Sequence, residues 1–133
     1  MRIETKLTTL AKHIDCEADE IKQGYNDSTF EIGNQEYLVL TDEEADKRAK
    51  EYIEDSIWAF YFSFLAKHTN LDEDIISHLQ DKCESANDIL LNAIKDIDAF
   101  IDEAIGVDGR GHFMSSYDGE EYDLNGFYIY RLN

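Results

Sequence analysis

Hydrophobic residues recur at helical spacing in two long stretches of the chain, which predicts long helices over 41–67 and 84–105. The first begins at Thr41, which can cap free backbone N–H groups while Glu44 occupies the reciprocal capping-box position. From Ile57 to Ala66 this helix is apolar almost all round. Such a helix is typical either of the centre of a domain or of a protein interface.

Two further segments carry strand and turn signals instead. The first is a hairpin over 29–40 around Gly33-Asn34, where glycine at the first central position suits a type II′ turn. The second is a C-terminal meander over 112–132, in which Asp118-Gly119 and Asn125-Gly126 tolerate the positive φ angles of type I′ turns. Together these elements predict an α+β fold, with an antiparallel sheet of about three to five strands packed against the two long helices.

Length and composition favour one domain over 1–133. The chain is 43% hydrophobic and rich in tyrosine and phenylalanine, so it can build a core, and it contains no proline. It has no apolar run long enough to span a membrane and no secretory signal, so we expect a cytoplasmic protein. The cysteines, Cys16 and Cys83, lack metal-site or redox spacing, which favours reduced structural residues, with a single disulfide as the alternative.

Charge changes the functional picture. Thirty acidic residues face twelve basic ones, a formal net charge of −18, and each third of the chain is negative. Direct nucleic-acid binding is excluded because it requires lysine and arginine facing phosphates. The excess favours either a basic protein partner or high solubility alone.

Helical carboxylates are the first candidate site. Residues four apart on a helix lie about 6 Å apart along its axis, a spacing comparable with a row of phosphates. A protein built in this way would occupy a DNA-binding channel as a decoy, although a solvated helix face is the simpler interpretation of any single row. The candidate partner-binding residues are Asp42, Glu43, Asp46, Glu51, Glu54, Asp55, Asp88, Asp96, Asp98, Asp102 and Glu103.

The segment 110–121 is the alternative candidate site, for a small enzyme or a nucleotide-binding protein. It combines an imidazole, a hydroxyl, a phenol and carboxylates, the groups used in acid–base or nucleophilic chemistry. The structural interpretation is a turn with packed tyrosines, and no nucleophile-elbow motif is present. The residues of this alternative site are Arg110, His112, Ser116, Tyr117, Asp118 and Glu121.

Metal and cofactor motifs are lacking in the sequence. The four histidines are scattered, the Asp72-Glu73-Asp74 stretch lacks the register of a calcium loop, and no glycine-rich phosphate loop opens a helix. We therefore expect no metal and no cofactor. A third possibility is an oligomeric structural or assembly protein that uses the apolar 57–66 stretch or the C-terminal sheet.

The stretch R-G-H-x-x-S-x-Y-D-G-E-E followed by F-Y-I-Y-R, from Arg110 to Arg131, resembles the ends of small uncharacterised proteins of bacteriophages and mobile elements. The segment from Glu36 to Phe60 also resembles the middle of these proteins. The resemblance implies a genomic context and lends no activity. In charge and size, the chain is also similar to the DNA mimics that inhibit restriction and CRISPR systems. The resulting hypothesis is a non-enzymatic, phage-type inhibitor whose partner is a basic host or defence protein, such as a DNA-binding protein or nuclease.

Overall fold

The computed structural model describes residues 2–133, with side chains from Thr5 onward. Its α-helices are α1 (Arg2–Ile14), α2 (Asp42–Asp55), α3 (Phe62–His68), α4 (Glu73–Gln80), α5 (Asn87–Ala93), α6 (Ile97–Asp108) and α7 (Arg110–Met114). Its strands are β1 (Lys22–Gln23), β2 (Thr29–Ile32), β3 (Gln35–Thr41), β4 (Tyr122–Leu124) and β5 (Phe127–Arg131).

The chain divides into two compact units. One, here called the sheet unit, contains Met1–Ala49 and Asp108–Asn133; the other, the helical unit, contains Lys50–Val107. In the described part of the sheet unit, five antiparallel strands form one sheet in the order β1-β2-β3-β5-β4. The predicted α+β class is therefore confirmed. The single domain inferred from length stays a prediction.

Two of the three predicted turns are present. Gly33 has a φ of 57° and is followed by a residue with negative φ, as a type II′ turn between Ile32 and Gln35 requires. Asn125 and Gly126 both have positive φ, 54° and 80°, as in the type I′ turn that joins β4 to β5.

Both faces of the sheet are covered at its centre. On one face, Val39 and Ile129 pair across β3 and β5 and pack in a buried cluster with Leu10 of α1. On the other face, the adjacent pair of Leu38 and Tyr130 is also buried. The helix in this cluster is α1, which lies outside both predicted long helices. One face of the sheet is thus covered by a helix other than the two predicted to pack against it.

The predicted capping box is confirmed at the start of α2. The N–H of Glu44 donates to Thr41 Oγ1 at 3.2 Å, and the N–H of Thr41 donates to Glu44 Oε1 at 2.9 Å. Glu44 Oε1 also accepts a hydrogen bond at 2.8 Å from Lys6, whose residue is 1% exposed and also bonds Ser28 Oγ at 2.9 Å. Burial opposes ionisation of Glu44, but the bonds from Lys6 and Thr41 outweigh it and hold the pKa of Glu44 below its usual range.

The predicted helix 41–67 is wrong as one continuous element. It is interrupted by a 3₁₀ turn, Ile57–Ala59, and by extended backbone at Phe60 and Tyr61. Amide side chains from later in the chain satisfy the interrupted backbone. Asn87 accepts from the N–H of Trp58 and donates to the carbonyl of Glu54, while Gln80 donates to the carbonyls of Trp58 and Phe60.

The predicted helix 84–105 is also divided. A 3₁₀ turn, Cys83–Ala86, leads into α5, and Ile94 then adopts extended backbone. Asp96 begins the next helix, because its side chain accepts the N–H of Ala99 at 3.1 Å and its carbonyl accepts the N–H of Phe100. The N–H of Lys95, freed by the break, donates to the carbonyl of His68 at 2.9 Å.

The first strand of the predicted meander 112–132 is absent. Residues 110–114 form α7 after Gly109, whose φ of 85° ends the preceding helix. Asp118-Gly119 consequently does not join two strands, and only Gly119 of that pair has positive φ. The remainder of the meander, β4 and β5, is as predicted.

Other structural findings bear on the functional alternatives. Within the apolar 57–66 stretch, Ile57 and Leu65 are buried whereas Tyr61 is 68% exposed. In the part of the chain that the structure describes, no helix combines the length and apolar character required to cross a membrane. Both cysteines carry free thiols.

Candidate functional site

The helical unit carries a large excess of carboxylates. Residues 50–107 contain thirteen Asp and Glu against four Lys and Arg, a formal net charge of −9. Two of these carboxylates form ion pairs among the described residues of the unit. Asp98, whose side chain is 79% exposed, lies 3.5 Å from Lys50, whose side chain is 48% exposed, and Glu103 contacts Lys67 and His68. The acidity of this unit is thus mostly not neutralised within the unit itself.

The first predicted row, on α2, divides into residues with different roles. Asp42 and Asp46 bind Arg110, whereas Glu43, Glu51 and Asp55 are exposed. Glu54 is half-buried, and its backbone carbonyl accepts the hydrogen bond from Asn87 described above. Because Asp42 and Asp46 are already paired with a cation, Glu51 and Asp55 are the better candidates for a partner.

The second predicted row is divided in the same way. Asp96 caps α6, Asp98 bridges to Lys50, and Glu103 joins α6 to the end of α3. Hydrogen bonds from Lys67 and His68 lower the pKa of Glu103 below its ordinary value. The two remaining residues of this row, Asp88 and Asp102, are exposed.

The alternative site is organised around Arg110, whose side chain is 10% exposed. Its Nε donates to Glu121 at 2.7 Å, and its Nη1 donates to Asp42 at 3.0 Å and to Asp46 at 2.7 Å. The guanidinium also lies 4.7 Å from the centre of the Tyr128 ring. Burial opposes the charge on Arg110, but these hydrogen bonds outweigh it and raise the pKa of Arg110 above its ordinary value.

A buried phenol extends this network. Tyr130 is fully buried and donates its hydroxyl proton to Glu121, the carboxylate that also accepts from Arg110. Burial, reinforced by this bond and by the charge of Glu121, raises the pKa of Tyr130 above its ordinary value. The phenol therefore stays protonated and acts as a structural donor.

The turn that follows α7 is stabilised by side chains close in sequence. The Ser115 hydroxyl lies 2.9 Å from Asp118 Oδ1 and 2.6 Å from the carbonyl of Arg131, and Asp118 Oδ1 accepts the N–H of Glu120 at 3.0 Å. This backbone bond is the main reason that the pKa of Asp118 is lowered. Asp118 is thus a turn-stabilising residue in this structure.

The remaining members of the alternative site point to no shared chemistry. His112 and Ser116 are exposed; the His112 ring contacts Phe113, and Ser116 makes no hydrogen bond within the described part of the chain. Tyr117 stacks against Arg131, whose guanidinium lies 3.7 Å from the ring centre. The six residues are close in sequence, yet the structure assigns Arg110, Asp118 and Glu121 to the packing of the sheet unit.

Sequence reasoning missed two residues that stabilise the sheet unit, Ser115 in the turn after α7 and Lys6 of α1. Ser115, rather than the predicted Ser116, makes the hydrogen bonds, and the Ser-x-x-Asp spacing to Asp118 was the local signal that could have identified it. The buried Lys6 gave no such signal, because its partners lie 22 and 38 residues away.

The Arg110 network allows a direct test by conservative substitution. Arg110→Lys keeps the charge but cannot donate from two separate nitrogens to Glu121 and to α2, so we expect a loss of about 1–2 kcal/mol in the free energy of unfolding. Urea denaturation followed by circular dichroism measures this loss. Arg48→Lys, a partly exposed arginine on α2, is the matched control and should change stability little. Equal stability of Arg110→Lys and the wild type would contradict the structural role of the branched Arg110 guanidinium group.

Comparison with known proteins gives no relative: no family model, no curated protein and no solved structure matches this chain.

Proposed function

We propose that this protein is a non-enzymatic, acidic binding protein of phage or mobile-element type that acts in the cytoplasm. Its partner would be a basic host or defence protein, such as a DNA-binding protein or a nuclease. In the sharpest form of the proposal, carboxylates take the place of DNA phosphates and inhibit that partner. The supporting observation is the set of exposed helical carboxylates in residues 50–107 that have no cation beside them within their own unit.

Three exposed carboxylates on two adjacent helices of the helical unit suit this role best. Glu51 and Asp55 lie one turn apart on α2, and Asp102 lies on α6, one turn beyond the Asp98 that pairs with Lys50. Glu51 and Asp55 are about 6 Å apart along the helix axis. The Lys50–Asp98 contact brings the two helices together at this point. A partner approaching them meets negative charge on adjacent helices, which favours fast, salt-dependent association with a basic surface.

Charge reversal tests the proposal. We expect the wild-type protein, used as bait in a bacterial lysate, to capture a basic DNA-binding protein or nuclease that is released by rising salt and displaced by duplex DNA. Glu51→Lys/Asp55→Lys should lose this capture, because it replaces two attractive contacts with repulsive ones. The matched control is Glu31→Lys/Asp123→Lys, which changes two exposed residues of the sheet unit by the same total charge.

The control variant distinguishes a loss of binding caused by the α2 row from a loss caused by the change in total charge. If both variants lose the partner equally, net charge alone governs binding and the row has no special role. If the α2 variant captures the same protein with the same salt dependence as the wild type, the proposed surface is wrong. Circular dichroism of each variant establishes that the fold is retained.

A further inference from the structure

A group of exposed aromatic and acidic residues lies on the sheet unit, away in sequence from the exposed carboxylates of residues 50–107. We call it the tyrosine patch, and it consists of Tyr117, Asp118, Glu120 and Tyr122. The two tyrosines are 56% and 40% exposed. The hydroxyl of Tyr122 lies 3.5 Å from Asp118 Oδ2, so these two members of the patch are in contact. The charges of Asp118 and Glu120, together with burial, raise the pKa of Tyr122.

Two tyrosine rings of the sheet unit already contact the guanidinium group of an arginine. Arg131 places its guanidinium 3.7 Å from the ring centre of Tyr117, a member of the patch. Arg110 repeats the arrangement elsewhere in the same unit, with its guanidinium on the Tyr128 ring and its nitrogens bonded to carboxylates. In both places a planar guanidinium uses the face of a tyrosine, and at Arg110 it forms ion pairs at the same time.

The net negative charge of the sheet unit favours a cationic ligand. The sheet unit contains seventeen Asp and Glu against eight Lys and Arg, so an anionic partner would be repelled. A lysine ammonium is a compact, strongly hydrated charge, whereas a guanidinium is planar, more weakly hydrated and stacks on aromatic faces. Tyrosine is also enriched at protein interfaces, because it contributes a large apolar area and a hydroxyl.

We propose that the tyrosine patch is a docking surface for an arginine-bearing segment of the basic protein partner, with guanidinium groups stacked on Tyr117 and Tyr122 and paired with Asp118 and Glu120. The inference rests on the proposed function for the existence of a basic partner, and it adds the chemical class of side chain that the partner presents. It also gives a role to Tyr117 and Glu120, two exposed residues of the segment 110–121.

Deca-arginine and deca-lysine peptides of equal charge are the probes, with binding to the full chain measured by fluorescence anisotropy at several salt concentrations. We expect the wild type to bind deca-arginine roughly three- to fivefold more tightly than deca-lysine, as stacking on exposed rings allows. Tyr117→Leu/Tyr122→Leu should remove this preference while leaving deca-lysine binding unchanged. Tyr25→Leu is the matched control, because Tyr25 is 79% exposed in the same unit but outside the patch, and it should retain the preference.

The possible results separate this inference from the proposed function. Equal binding of the two peptides by the wild type, or an arginine preference that survives in the double variant, would overturn the docking surface. Loss of the preference in Tyr25→Leu as well would also overturn it, since the effect would then not belong to the patch. The proposed function is tested independently by Glu51→Lys/Asp55→Lys, which leaves the tyrosine patch intact.

Discussion

Gly111→Ala should destabilise the protein by about 3 kcal/mol or more, the largest effect expected of a single methyl group in this chain. A Cβ at position 111 would lie 2.7 Å from the carbonyl oxygen of Gly119 and 2.7 Å from the carbonyl carbon of Glu120. These are backbone atoms, so no side chain can rotate away to relieve the contact. The turn that holds Asp118 and Glu121 would have to move away from α7, and the Arg110 network would open with it.

Gly106→Ala is the control for this substitution. Gly106 lies within α6, is exposed, and has no atom within 4 Å of the position that a Cβ would occupy. Alanine should therefore stabilise the helix by up to about 1 kcal/mol. Thermal and urea denaturation measure both variants. A free energy of unfolding for Gly111→Ala equal to that of the wild type would contradict the close approach of α7 to the turn.

Lys6→Met should cost about 2–3 kcal/mol of unfolding free energy. The substitution leaves the Glu44 carboxylate and the Ser28 hydroxyl without the ammonium that joins them in the folded state. Breaking a fully buried pair typically costs more, but the Glu44 side chain is 38% exposed and retains contact with water. Lys12→Met, an exposed lysine on the same helix, is the control and should change stability little.

A double variant and a change of pH test whether charge causes the Lys6 effect. Lys6→Met/Glu44→Gln should recover part of the loss, because it removes the uncompensated carboxylate while keeping an oxygen for the capping box. The lowered pKa of Glu44 gives stability that is present above its ordinary pKa and is lost as the pH falls through its folded value. The stability difference between the wild type and Glu44→Gln should therefore shrink below about pH 4. A difference independent of pH would exclude the ion pair as its source.

Local chemistry accounts for the parts of the fold that the sequence predicts correctly. The capping box at Thr41 and Glu44 and the turns at Gly33-Asn34 and Asn125-Gly126 depend on residues within a few positions of one another. At such sites the sequence contains every group that takes part. The Asp96 cap is also a local feature. It was not predicted, because apolar residues at helical spacing continue on both sides of it and so predicted one helix over 84–105.

Distant partners account for the parts that were predicted wrongly. The break after α2 is stabilised by the amides of Gln80 and Asn87, about 20 to 30 residues further along the chain. The segment 112–117 has too short a polar and apolar alternation to distinguish a strand from a helical turn. The contact of Gly111 with the backbone of the 119–121 turn, which accompanies the helical form, is visible only in the folded chain.

The candidate sites show the same difference between features set by local residues and features set by distant partners. Composition identified the acidity, but it could not distinguish Asp42 and Asp46, which bind Arg110, from Glu51 and Asp55, which stay exposed. That distinction depends on an arginine more than 60 residues away. Likewise, the residue types at 110–121 suggested chemistry, whereas the fold uses half of them for its own packing.

The pairing of β3 with β5 has a consequence for how the protein is made. This pair joins residues 37–41 to residues 127–131, so β5 leaves the ribosome only after residues 50–107 have done so. Residues 50–107, in contrast, form a contiguous unit whose contacts can close before β5 has been synthesised. Until β5 arrives, β3 presents an apolar edge with no neighbour on one side, and closing a loop of this length is slow. The nascent chain is therefore most exposed to aggregation, and to chaperone binding, in the interval between the synthesis of β3 and that of β5.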